Sequence, residues 1–320
     1  VQNRAGRRCA KTTIRTQPRC VLGKIAVTLQ QALAQRAREG TRGGTSARPL
    51  AQGASWAVAD ILCTFGPRDQ PFEERHAGVC IAMVVAGSFG YRSATGRALL
   101  TPGALLLGNP GDCFECGHRH APGDRCIAFH YAPAYFERLA ADAGIAGGDL
   151  NFRRARIPSL PALSPLIARA CAGALEAGGA GWDELAVELA VSTLKEAGAL
   201  TRAEPAASAA TWSRVAQTVR LIDDAPGAAH TLTSLAAAAG LSEFYFLRTF
   251  QRVTGVTPHQ YLLRARLRAA ALRLRDDSAK VVDIALDCGF NDLSNFNHAF
   301  RAEFASSPLA WRARGRARRT

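Results

Sequence analysis

The densest group of chemically competent side chains falls in one stretch, Cys113-Phe-Glu-Cys116-Gly-His118-Arg-His120-Ala-Pro-Gly-Asp124-Arg-Cys126. Alternate residues of an extended strand share a face, so Cys116, His118 and His120 are expected to converge on one side. Cys126, beyond the Pro122-Gly123 turn, can return on the neighbouring strand. Two thiols and two imidazoles make a donor set for tetrahedral zinc, for another transition metal, or for thiol redox chemistry. The same row can instead line an effector pocket without metal, or fill an interior, because buried cysteines behave as small hydrophobes. These readings stay open at this point, with a transition metal such as zinc as the candidate cofactor. Glu73, Glu74 and His76 form no recognisable triad and are assigned nothing.

The elements that must position this row are short apolar runs: Trp56–Cys63, Val79–Ala86, Ala98–Leu100, Ala104–Leu107 and Arg125–His130. Thr101-Pro-Gly and Asn109-Pro-Gly-Asp punctuate them, and that density of turns argues for an antiparallel sandwich or barrel. From Pro133 the period changes to three or four residues. Tyr135, Phe136 and Leu139, then Leu163, Leu166 and Ile167, then Trp182, Leu185, Leu189 and Leu194 mark amphipathic helices. The helix 182–200 carries more apolar residues than one core contact needs, which makes it the candidate dimer or coupling element. Residues 201–210, rich in Ala with Pro205 and Ser208, read as a linker.

Charge divides the 320 residues further. Net charge is +10 over 1–50, −3 over 51–210 and +7 over 211–320, +14 in all. A basic C-terminal third is expected where one end meets an anionic polymer, and a slightly acidic middle would be repelled by it. Residues 1–50, rich in Arg, Gln, Gly and Thr, are expected to be a disordered basic extension with at most one helical piece near Ile25 to Leu33. Arg7-Arg8 has no apolar stretch behind it, which argues against an export signal. The longest apolar run, Val79 to Ala86, is far short of the ~18–20 residues a membrane span needs. Nine scattered cysteines point to a reducing, cytoplasmic compartment rather than a disulfide framework.

The C-terminal third contains an internal duplication. Leu235, Ala236 and Gly240 recur 49 residues later as Ile284, Ala285 and Gly289. At an offset of 50, Phe246, Phe250, Gly255, Thr257, Pro258 and Tyr261 fall opposite Phe296, Phe300, Ala305, Ser307, Pro308 and Trp311. In the first copy Thr231 can cap a short helix, Gly240 supplies a left-handed turn residue and Ser242 caps a second helix. Phe246, Phe250 and Val253, at i, i+4 and i+7, must face inward, which turns Glu243, Leu247, Arg248 and Gln251 outward or to the flank. The second copy takes Asn291 as its cap and Phe296, Phe300 and Phe304 inward; Leu293, Ser294, Asn297, His298 and Arg301 face out. A short helix, a glycine turn and a second helix with a polar outer face is the helix-turn-helix arrangement. Thr257-Pro258 starts a helix between the copies that spans ~27 Å and can hold two readers about one turn of duplex apart.

Gly240-Leu-Ser, Arg248, Phe250, Gly255-Val-Thr-Pro, Tyr261-Leu, Arg266-Leu, Gly289-Phe, Phe296, Phe300 and Ser307-Pro resemble the AraC/XylS family of bacterial transcription factors over about 212–313. The chain departs from the family pattern at Ala305, where a glycine is usual, at His298, where an arginine is usual, and at Trp311, where a tyrosine is usual. Ala305 is expected to shorten a turn without ending the fold, and His298 to alter the base preference of the second reader. The resemblance implies base contacts from Phe244, Leu247 and Arg248, and from Leu293, Ser294, Asn297 and His298. Arg248 suits guanine, Asn297 adenine, and the apolar side chains thymine methyls. Gln251, Arg252, Asn295 and Arg301 suit phosphate, as does the terminal basic run.

Leu100-Thr-Pro-Gly-Ala-Leu-Leu-Leu-Gly-Asn-Pro-Gly resembles the cupin-like sensor domains that precede such DNA-binding domains, which implies a small antiparallel β-barrel followed by dimerising helices. The expected fold is therefore α+β in two domains: a basic extension 1–50, a cupin-like sensor domain 51–200, a linker 201–210, an all-α double helix-turn-helix domain 211–313 and a basic tail 314–320. The expected function is a sequence-specific transcription factor, not an enzyme. Its expected partners are promoter DNA, an effector, a second copy of the chain and, for an activator, RNA polymerase. The rival is a cupin-type metalloenzyme fused to a DNA-binding module, with His118, His120 and Asp124 as iron ligands; no further histidine ligand is evident in the strand-rich region. A repair protein with a zinc-bound methyl-acceptor cysteine would need a different cysteine spacing.

Overall fold

Pairing of the apolar runs produces two antiparallel sheets. In the computed structural model, which describes residues 22–145, 150–175, 181–200, 208–276 and 278–317, the strands are β1 Thr45–Gln52, β2 Trp56–Cys63, β3 Phe72–Arg75, β4 Val79–Gly87, β5 Phe89–Ser93, β6 Gly96–Leu100, β7 Leu105–Gly108, β8 Cys113–Gly117, β9 Asp124–Tyr131 and β10 Arg156–Ile157. One sheet has the order β1-β2-β9-β4-β7-β10 and the other β3-β8-β5-β6. The sheets are open at their edges, so the expected closed barrel is instead an open sandwich. Closure depends on which strands share an edge, and no local sequence signal carries that.

β4 explains the layering. All its residues except Gly87 are buried, because the strand is covered on both faces. Cys80, Ala82 and Val84, with Cys126 of the neighbouring β9, point to the second sheet, where they meet Tyr91, Leu100 and Cys116. Val79, Ile81, Met83 and Val85 point the other way, onto a helical layer. That layer contains α1 Leu22–Glu39, α2 Pro133–Asp142, α3 Ser164–Leu175 and α4 Trp182–Ala199, with a short 3-10 turn at Pro161–Leu163 leading into α3. The apolar surplus of α4 is consumed here: Leu185 and Leu189 are buried, Trp182 and Leu194 pack against the same core, and Val187 is left exposed.

Residues 22–52 are not the disordered extension that composition suggested. Leu29 is buried, Leu33 packs beside it, and Arg36 of α1 pairs with Asp69 at 2.7 Å. β1 pairs along β2 at the sheet edge and carries Pro49 at a register shift, where a residue without an amide proton is tolerated. Residues 1–21, 201–207 and 318–320, which hold part of the expected extension and tail and most of the expected linker, lie outside the described residues.

The C-terminal helices are α5 Ala209–Asp224, α6 Leu232–Ala238, α7 Glu243–Thr254, α8 Pro258–Asp276, α9 Val281–Asp287, α10 Leu293–Phe304 and α11 Pro308–Ala317. Two cores form side by side. Trp212, Val219, Leu235, Phe246, Phe250 and Tyr261 make the first, and Ile284, Phe290, Phe296, Phe300, Phe304 and Trp311 the second. α8 runs through both, contributing Tyr261, Leu262 and Ala265 to one and Leu267, Ala270 and Leu274 to the other. Its 19 residues extend ~28 Å at 1.5 Å per residue.

The β-rich part touches both cores. Leu99 of β6 joins the first and Ala168 of α3 the second. Polar contacts lie between them. Arg264 of α8 donates to the Ser159 carbonyl at 2.6 Å and faces Glu303 of α10 at 3.5 Å, and Ser164 donates its hydroxyl hydrogen bond to that same carboxylate. The charged groups of this seam, Arg264, Arg268 and Glu303, are buried.

Candidate functional site

The first reader is built by the caps the sequence announced. Thr231 and Ser234 form a reciprocal capping box at the start of α6, and Ser242 accepts from the Tyr245 amide to start α7. Gly240 takes φ +63° in the turn between them. In the second unit the cap is Asp292, not Asn291: its carboxylate accepts from the Asn295 amide at 2.7 Å. Both residues are competent caps, and an ionised carboxylate also gains from the positive end of the helix. α10 keeps the same 12-residue length as α7, and Ala305 takes the left-handed conformation that Gly255 takes after α7. The turn is therefore retained rather than shortened.

The outward sets lie where the periodicity put them. On α7, Phe244, Arg248, Gln251 and Arg252 are exposed and Leu247 is half-buried. Phe244 is 68% exposed, and the Arg248 guanidinium stacks over its ring at 5.6 Å from the centroid. On α10, Leu293, Ser294, Asn295, His298 and Arg301 are exposed and Asn297 is half-buried. Tyr245, 59% exposed beside Phe244, escaped the sequence reading because it lies between the inward and outward sets. Its place directly after Phe244 in the first turn of α7 is the signal that could have found it.

The cysteine and histidine row is split by the chain path. β8 ends at Gly117, so the strand alternation that would align His118 with His120 stops there. His120 turns away to the α5 side, with its ring 6.2 Å from that of Trp212. His118 turns in, its side chain 1% exposed, and its Nε2 lies 2.6 Å from Asp124 Oδ1. Cys126 Sγ donates to the other Asp124 oxygen at 3.2 Å. Cys63, on β2, is paired with Asp124 across the β2–β9 ladder, and ligand atoms of Cys63, His118 and Asp124 all lie within 4.8 Å of one another. Cys116 is buried in the same inter-sheet layer. Burial, reinforced by the Asp124 carboxylate, pushes the Cys63 thiol up to about 12 and raises Cys116 and Cys126 in the same way. Cys63 was not foreseen, since its approach depends on a strand pairing between positions 61 residues apart.

Two paired helices with a glycine turn, repeated about a shared helix, define a helix-turn-helix protein, and residues 235–314 match the family described as a helix-turn-helix domain. Among curated relatives, the chain is 49% identical over 61 residues to the HTH-type transcriptional activator RhaS of Escherichia coli O139:H28, covering 19% of this chain and 22% of that one. It is 28% identical over 102 residues to the HTH-type transcriptional regulator MtrA of Neisseria gonorrhoeae, covering 32% of this chain and 34% of that one. The chain thus spans only between a fifth and about a third of these relatives. The DNA-binding domain of AdpA, solved with a target DNA, is 33% identical over 33% of this chain, and ToxT from Vibrio cholerae is 9% identical over 82% of it. They cover 96% and 98% of those chains, both with a TM-score of 0.32, and neither extends the assignment beyond the sequence matches. The similarity to HTH-type transcription regulators lies in this C-terminal third of the chain.

Proposed function

We propose that the chain is a sequence-specific DNA-binding transcription regulator in which a β-rich domain, about 51–200, controls a double helix-turn-helix domain, about 211–313. The observation that carries it is the pair of exposed second helices, α7 and α10, held on one buried helix, α8. Phe244, Leu247, Arg248, Leu293, Ser294, Asn297 and His298 are the base readers on this view, and Gln251, Arg252, Asn295 and Arg301 hold phosphate. The partners are double-stranded DNA, a second copy of the chain, a small-molecule, metal or redox signal and, where the effect is activation, RNA polymerase. The place of action is the bacterial cytoplasm, and the chain is not an enzyme. A signal can act only through unequal affinity for two domain arrangements, and the seam of Ser159, Ser164, Arg264 and Glu303 is the contact such a change would alter.

Selection of bound duplexes from a random pool, followed by titration, tests this reading. One enriched sequence is expected, with Arg248→Ala costing ~1–3 kcal/mol on it and relaxing preference at one base. Equal loss on every sequence would make Arg248 a phosphate contact. A pool with no enrichment would overturn the function itself. The rival metalloenzyme lacks support in the geometry, since His120 stands beside Trp212 and not with His118 and Asp124.

A further inference from the structure

We propose that Cys63, His118, Asp124 and Cys126 form a site for a thiophilic divalent cation of the zinc class, at one end of the space between the two sheets. The proposal rests on the β-rich domain alone and stands or falls independently of DNA binding.

The backbone brings Cys63, His118 and Asp124 together, with ligand atoms within 4.8 Å of one another, and sets Cys126 beside Asp124 as the fourth donor. Cys63 ends β2 and Asp124 opens β9 directly opposite it; Cys126, two residues further on, keeps the same face of the sheet. His118 enters from the turn after β8. All four are buried, and Phe65 and Phe89 stack near the His118 ring, with centroids 6.3 and 5.8 Å away. His118 Nε2 and Cys126 Sγ each contact a different oxygen of Asp124, at 2.6 and 3.2 Å, so Asp124 sits at the centre of the donor set. The neighbouring Arg125 points to the other face and holds Asp60 with two contacts of 2.8 Å.

The donor types select the ion. Two sulfurs, one imidazole nitrogen and one carboxylate oxygen suit a borderline-soft ion in tetrahedral coordination, whereas magnesium and calcium require oxygen donors. A bound dication would deprotonate a coordinating thiol and take up the charge of the carboxylate. His118 Nδ1 is also buried with no hydrogen-bond partner among the described groups, so one donor atom of the ring is left uncommitted.

The test uses the full chain, purified without chelator under reducing conditions, and reads metal content by mass spectrometry, the visible spectrum after Co(II) loading, and Tm with and without added zinc. One equivalent of zinc is expected. Co(II) should give intense tetrahedral d–d bands with a thiolate charge-transfer band, and zinc should raise the Tm of the wild-type chain. Cys63→Ser and Cys126→Ser should each lose or strongly weaken the charge-transfer band. Cys113→Ser should keep it, because Cys113 is exposed and outside the cluster. A wild-type chain that takes up neither ion and shows no Tm shift would overturn the proposal without any variant being made. A thiolate band that survives both substitutions would overturn it as well.

Discussion

Asp223 shows how one half-buried carboxyl can tie stability to pH. It accepts from the Tyr261 hydroxyl at 2.7 Å and lies 3.7 Å from Arg268, yet burial outweighs both and holds its carboxyl up at about 7. The unfolded chain returns it to an ordinary value near 4. Between those values the folded state keeps a proton that the unfolded state releases. The contribution of this group is therefore full below about pH 4 and is lost as pH rises through about 7. Asp223→Asn is neutral throughout, so its stability relative to the wild type should improve by ~1–3 kcal/mol between pH 5 and pH 8 in urea denaturation. An unchanged difference would place the Asp223 carboxyl in the usual range. His118 and Cys126 were legible because they sit in one motif; Asp124 entered only as a ligand of the rival enzyme, and Cys63 could not be read from local sequence at all.

At the scale of the elements, the two reader units are near copies, and one of their differences lies at the turn after the second helix. After α7 the left-handed position is Gly255, at φ +82°, and after α10 it is Ala305, at φ +47°. A Cβ in that conformation costs roughly 1–2 kcal/mol, so Ala305→Gly should raise the stability of the second unit by about 1 kcal/mol, visible as a higher Tm. A lower Tm would mean that the Ala305 methyl is worth more in contacts than the backbone strain it brings. The helices were readable because their signals are local: Thr231 and Ser242 cap, Phe246 and Phe250 repeat at helical spacing, and the second copy confirms the first. Even there the choice between Asn291 and Asp292 turned on a single hydrogen bond. The strands were visible as runs, but their order was not. β4 lies between β9 and β7 in its sheet, a neighbour relation set by the whole chain rather than by any window of it.

In the whole molecule, the seam between the β-rich part and the readers is polar and buried. Ser164 at the start of α3 donates to Glu303 of α10, and Glu303 also faces Arg264. Ser164→Ala removes one donor without adding bulk. It should cost about 1–3 kcal/mol in denaturation of the full chain and speed amide exchange near the start of α3. No change in either would mean that the carboxylate is satisfied by Arg264 alone. None of this seam was legible in advance, because Ser159, Ser164 and Glu303 carry no pattern until α3 and α10 are brought together.

Leu99 and Ala168 have a further consequence. Each reader core is completed by one side chain that belongs to the other part of the protein. The two parts are therefore not interchangeable cassettes. A recombination event that joined these readers to a different sensor would leave a gap in the first core where Leu99 sits and in the second where Ala168 sits. Any lineage that exchanged its sensor would have had to rewrite those contacts before the hybrid could hold its readers in place.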